Sequence, residues 1–96
     1  MACSFLSRLV GFIGKKPQKG DALLIIPCKQ IHTFFMQAPI DVVYLSKDGF
    51  VVDFFPSVLP GKILPYSRKT EMVLELALGT ITYLAKGQKI TFQLKE

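Results

Sequence analysis

Five side chains in this sequence are of types that do chemistry and fall in or beside stretches expected to be strands: Cys28, His32, Met36, Asp41 and Glu75. His32 is the only histidine, and beside a carboxylate it could act as a general base or a metal ligand. Spacing limits which carboxylate. If Met36 pairs with Ile40 across a three-residue turn, His32 falls opposite Tyr44, and a four-residue turn moves it opposite Leu45. In neither register is Asp41 its neighbour, because four positions along a strand span about 13 Å. A catalytic His32 therefore needs a carboxylate from elsewhere, and Glu75 is the best candidate. Cys28 and His32 form a second candidate pair, as nucleophile and base. At i and i+4 on an extended chain they lie far apart unless Lys29-Gln30 turns, and a small buried thiol is the commoner outcome.

Each of these residues also has a plain structural reading. A carboxylate just after Pro39 readily accepts backbone N–H bonds, which suits Asp41. Glu75 would pair with Arg68 or a lysine at the sheet rim. Met36, Phe34, Phe35 and Tyr44 would pack in the core. His32, Asp41, Glu75 and Cys28 show none of the close spacings of zinc sites, so no metal and no cofactor is expected. No glycine-rich loop leads into a helix, so phosphate-loop chemistry is excluded. No reaction can be read from these residues.

The elements that must position them follow from periodicity. From Ser4 to Gly14 the apolar residues recur at helical spacing, with Ser4 as N-cap and Gly14 as stop, which predicts a short N-terminal helix. Lys15 to Asp21 is a polar loop. Ala22–Pro27 is a continuous apolar run and predicts an interior strand. Further strands are expected over 31–36, 40–46, 50–55, 71–77 and 89–94, with Asp48-Gly49 as a hairpin turn. Residues 56–70, with Pro56, Pro60, Gly61 and Pro65, read as a surface excursion. Residues 79–87, bracketed by two glycines, fit either a short helical turn or a tight strand, and the turn is the preferred reading. The expectation is mainly β: an antiparallel β-sandwich or partly closed barrel of about six strands with a short N-terminal helix.

Length and charge bound the rest. Ninety-six residues make one domain, divided into a basic helix and loop (1–20) and a β core (21–96). Residues 1–20 carry Arg8, Lys15, Lys16 and Lys19 and no acid, a charge of +4, whereas 21–96 carry eight basic and seven acidic residues, a charge of +1. The basic excess is thus one segment, not a groove, which argues against nucleic acid. It leaves residues 4–19 as a segment for weak peripheral contact with an anionic membrane. No apolar run approaches the roughly 20 residues of a membrane span, and no basic region precedes the apolar N-terminus as in a signal peptide. Two cysteines, Cys3 and Cys28, make no disulfide framework. Free thiols, no Cys3–Cys28 bond and a cytoplasmic location are therefore expected.

Several blocks carry a resemblance. They are Arg8-Leu9-Val10-Gly11-Phe12-Ile13-Gly14-Lys15, Leu24-Ile25-Ile26-Pro27-Cys28, Ile31-His32-Thr33-Phe34-Phe35-Met36 and Pro39-Ile40-Asp41-Val42-Val43. Asp48-Gly49, Val51-Val52, Pro60-Gly61 and Val73-Leu74-Glu75-Leu76 with Gly79 follow in order. Together they resemble the short branch of the Domain of Unknown Function 192 family, also catalogued as uncharacterised protein family 0127. The resemblance spans nearly the whole chain and implies a compact β domain of jelly-roll type. It implies no activity. Gln88 stands where the family usually has aspartate, and Leu78 where it usually has a small residue.

The leading expectation is a binding module for a small ligand or protein segment, with a pocket lined by His32, Met36, Asp41, Glu75 and Cys28. The motivation is that polar groups inside apolar strands are costly unless used. One alternative is a small hydrolytic or metal-assisted enzyme using His32 with Glu75 or Asp41. The other is a structural accessory held to a membrane or assembly by the N-terminal helix.

Overall fold

The computed structural model describes residues 6–10, 22–34, 36, 38–82, 84–90 and 93–94, with backbone alone for 6–10, 22 and 93–94. The elements are all strands: β1 Leu6–Val10, β2 Ala22–Ile25, β3 Ile40–Leu45, β4 Val51–Val58, β5 Met72–Ala77 and β6 Gln93–Leu94. They form one antiparallel sheet in the order β4-β3-β5-β2-β1-β6. The protein is mainly β, and the sheet is open. Among the described residues there is no helix, and so none long and apolar enough to cross a membrane.

β3 lies between β4 and β5, and every residue from Asp41 to Leu45 is buried. A strand paired on both edges and covered on both faces has no solvent side, so its sequence does not alternate. The two faces carry separate cores. On one, Leu24, Val43, Leu45, Leu74 and Leu76 meet Val51, with Met72, Ile81, Leu84 and Ile90 packed over them. On the other, Ile25, Val42, Tyr44 and Val73 meet Cys28, Ile31, Val58 and Leu64.

The cover on this second face is a pair of extended segments. Ser67 N–H donates to the Lys29 carbonyl (2.9 Å), Leu64 N–H to Ile31 (3.0 Å), Thr33 N–H to Lys62 (2.8 Å) and Gly61 N–H to Thr33 (2.8 Å). His32 and Ile63 form a bridge within this ribbon. Tyr44 anchors it from the sheet by donating its hydroxyl to the Pro65 carbonyl at 2.8 Å. The proline-rich excursion expected over 56–70 is therefore one half of a cover.

Several expectations need correcting. Residues 6–10 are a strand, not part of a helix; Ser4, Phe5 and Gly11–Gly14 lie outside the described residues. A short apolar run fits either period, and a helix of this length gains little on its own. β2, by contrast, offers an unpaired edge that β1 fills. The expected strand over 31–36 is reduced to the His32–Ile63 bridge. Of the expected strand over 89–94 the described residues show a Phe50–Lys89 bridge and β6, while Thr91 and Phe92 lie outside them. The expected sandwich is a single sheet with a ribbon over one face. β4 runs on through Pro56, which an edge strand tolerates because its missing N–H faces no partner. Gly49 takes the positive φ (90°) that the Asp-Gly turn anticipates.

The free-thiol expectation fails at Cys28, which is buried and disulfide-bonded. The only other cysteine of the chain is Cys3, outside the described residues. β1 runs antiparallel to β2 with Leu6 opposite Ile25, so the strand returns the chain to the end of β2 that precedes Cys28, which a helix over these residues would not require. We expect the unreduced protein to take up no thiol label, and reduction to lower its unfolding free energy by about 2–4 kcal/mol. Intact mass after alkylation, with urea melts in both redox states, measures both.

Candidate functional site

Asp41 projects from β3 on the face of Val43 and Leu45 and is 1% exposed. Both carboxylate oxygens accept backbone N–H groups: Oδ1 from Ser57 at 2.9 Å and Oδ2 from Ile81 at 2.8 Å. The Ser57 bond exists because the β3–β4 ladder is irregular here. Ile40 pairs with Val58 but Val42 with Phe55, so Pro56 and Ser57 form a bulge, with Ser57 at φ 57°. The carboxylate thus joins β3, the end of β4 and the segment after β5. These donors come from distant parts of the chain rather than from the Pro39 turn.

Glu75 sits on β5 opposite Val42 on one side and Leu23 on the other, sharing the face of Val73. That is the opposite face of the sheet from Asp41. Its carboxyl forms no ion pair with Arg68 or a lysine among the described residues. Burial pushes its pKa above the ordinary value.

His32 alternates with buried Ile31 and Thr33, so its ring lies on the outer side of the ribbon. It stacks on Phe34 (centroids 4.6 Å, planes 26° apart), and its Nδ1 accepts the Phe34 N–H at 3.3 Å. Phe34, expected in the core, is exposed, whereas Tyr44 is fully buried as expected. Met36 is half-buried, and its N–H closes a turn onto the Thr33 carbonyl at 3.2 Å. Cys28 Sγ lies 3.2 Å from the Gln30 carbonyl oxygen, a contact rather than a hydrogen bond, since a disulfide sulfur carries no proton. Oxidised, it has no thiolate to attack with.

These five residues therefore do not converge. Asp41 and Glu75 face opposite sides of the sheet, and His32 faces outward from the ribbon. Among the described residues no three His, Cys, Asp or Glu side chains cluster.

A cleft of about 510 Å³ lies elsewhere, where β2 ends and β5 begins. Ile26, Pro27 and Met72 give it an apolar floor, and Lys47 and Glu71 rim it. Ile26 and Met72 continue the Leu24–Leu45–Leu74 core, so the floor is the exposed end of that core. Glu71 is held by Lys29 at 3.5 Å, whose Nζ also donates to the carbonyls of Arg68 (2.9 Å) and Thr70 (2.8 Å). Lys47 has no ion pair among the described residues. Sequence reasoning missed this cleft. Its only sequence signals are a proline closing an apolar run and a glutamate beside a methionine at a strand start, and neither is specific.

The family model described as Uncharacterized ACR, that of the Domain of Unknown Function 192 (DUF192), matches residues 1–92. The chain belongs to the DUF192 family. No curated protein and no solved structure matches it.

In this DUF192 domain two carboxylates carry opposite expectations. Asp41→Ala leaves two part-buried N–H groups without their acceptor and a cavity beside the core, and should cost about 2 kcal/mol in urea unfolding. Asp41→Asn keeps one acceptor oxygen and should cost less. Glu75 is raised in the folded state, so the native protein binds more protons than the unfolded chain and stability falls as pH rises through that folded pKa. Glu75→Gln should therefore be the more stable protein at pH 7. The gap should close below the ordinary glutamate pKa of 4.5, as thermal melts across pH would show.

Proposed function

We propose that this DUF192 domain binds a small molecule with an apolar body and an anionic end, and catalyses no reaction on it. The cleft at the β2–β5 end carries the reading. Its volume of about 510 Å³ lies within the range of small-ligand sites, and it joins an apolar floor to few polar groups, as such sites do. Ile26, Pro27 and Met72 would take the apolar body. Lys47, which forms no ion pair among the described residues, would meet the anionic end, while Glu71 stays neutralised by Lys29.

The expected binding role of His32, Met36, Asp41, Glu75 and Cys28 moves, on this reading, to support. Cys28 follows the cleft residue Pro27 directly, and its N–H holds the Glu71 carbonyl at 3.0 Å. The architecture supports a mouth at this place. Val51 N–H bonds the Gln88 carbonyl (2.8 Å) and Ile90 N–H the Gly49 carbonyl (2.9 Å), while β6 pairs with β1. The last segment thus touches both edges of the open sheet. A partly closed barrel with the cleft at its mouth is the finer architecture we infer, a common place for ligands.

Nuclear magnetic resonance titration with medium-chain fatty acids and aryl carboxylates tests this. We expect saturable amide shifts at Ile26, Lys47, Glu71 and Met72. Lys47→Glu should weaken binding about tenfold, and Met72→Trp, which fills the cleft, should abolish it. Shifts centred elsewhere, or equal affinity for the matching amines, would overturn the reading.

A further inference from the structure

The outer side of the ribbon breaks the rule for a solvated face. Its inward residues Ile31, Thr33 and Leu64 are buried, so the outward positions should be polar. Instead Phe34 is 49% exposed, Ile63 64% and Leu59 53%. Ile63, His32 and Phe34 lie together: Ile63 bridges His32, and the His32 ring stacks on Phe34. Leu59 joins the same ribbon through its backbone, its carbonyl accepting the Thr33 hydroxyl at 2.7 Å. Exposed apolar residues scattered singly mean little, but a clustered set on a fixed backbone marks a contact surface.

The backbone beneath is held firmly. Thr33 Oγ1 also accepts the Lys62 N–H at 2.9 Å, and the Thr33 N–H and carbonyl are both bonded across the ribbon. A partner would therefore not have to order the surface on binding.

Charge identifies the kind of partner. Residues 27–40 and 54–70, which include both halves of the ribbon, contain Lys29, Lys62, Arg68 and Lys69 and not one acid. Lys29 is spent on Glu71, whereas Lys62, Arg68 and Lys69 are exposed and form no ion pair among the described residues. We propose that this outer face, carrying His32, Phe34, Leu59 and Ile63 on a ribbon whose exposed cations are Lys62, Arg68 and Lys69, is a docking surface for an acidic protein segment carrying apolar side chains. Single-stranded nucleic acid fits less well. Its bases need free aromatic faces, but Leu59 and Ile63 have none and one face of Phe34 is covered by His32.

Fluorescence anisotropy on the full oxidised chain tests the proposal. The probe is a labelled peptide of about twelve residues alternating glutamate with leucine and phenylalanine, long enough to lie along the ribbon. Saturable, salt-weakened binding is expected, with no comparable binding of the lysine counterpart. Phe34→Ser with Ile63→Ser, and separately Lys62→Glu with Arg68→Glu, should each weaken binding about tenfold or more. The charge-reversal pair changes only exposed side chains, so it keeps the test decisive should the apolar variant misfold. The cleft variant Met72→Trp should bind the peptide as wild type does, which separates this surface from the small-ligand site. Equal binding of the lysine peptide, or affinities unchanged in both double variants, would overturn the proposal. So would displacement of the peptide by oligothymidylate or phosphatidylserine vesicles.

Discussion

The Asp41 carboxylate is the constraint on which the rest depends. It is buried, and its two oxygens are fully occupied by N–H groups from segments far apart in sequence, at Ser57 and Ile81. Charge-assisted bonds of this kind in a dry setting are strong, and losing the acceptor strands both donors. The bulge at Pro56–Ser57 ends the regular part of the β3–β4 ladder and begins the return toward the ribbon. The Ile81 bond fixes where the chain leaves β5 and crosses to cover the Leu24–Leu45–Leu74 core. One side chain thus sets the start of both covers, one for each face of the sheet.

With both faces largely covered, the central strands are apolar apart from Asp41 and Glu75, and that is why they were legible. The non-alternating run Ala22–Pro27 points to an interior strand with little exposure; β2 does lie between β5 and β1, but it ends at Ile25, and Leu23 and Pro27 are exposed. The Asp48-Gly49 turn and the strand at 72–77 followed from equally local signals. Residues 6–10 were misread because their apolar spacing satisfies a helix as well as a strand. The deciding factor was the vacant edge of β2, which no local pattern reveals. The disulfide at Cys28 was missed for the same reason, since only as a strand does β1 start opposite Ile25, beside the end of β2 that leads to Cys28.

The candidate site was legible only as a list of residues. Their types stood out because polar groups inside apolar strands need a reason. For Asp41 the structure supplies one in backbone capping. For Glu75 it supplies a half-buried carboxyl against Val42 and Leu23, with no charge partner among the described residues. Which face a side chain takes depends on register, and a shift of one residue reverses it. Asp41 and Glu75 fall on opposite faces because Asp41 pairs with Leu76, one place beyond Glu75. Nothing in either strand's own composition specifies that offset.

The cleft and the ribbon face are distinct surfaces, but the chain joins them over a few residues. Pro27 lines the cleft, Cys28 bonds the Glu71 carbonyl, and Lys29 clamps Arg68, Thr70 and Glu71 at the base of the ribbon. The 27–29 segment therefore has two neighbours to satisfy, the cleft rim and the ribbon. Cys28 is the residue in it that can move least, being 1% exposed and covalently bonded. A rigid link of this kind holds the two surfaces at a constant separation. The Lys29 ammonium is one such link between the two surfaces, since it meets both the cleft's Glu71 carboxylate and the backbone carbonyls of Arg68 and Thr70.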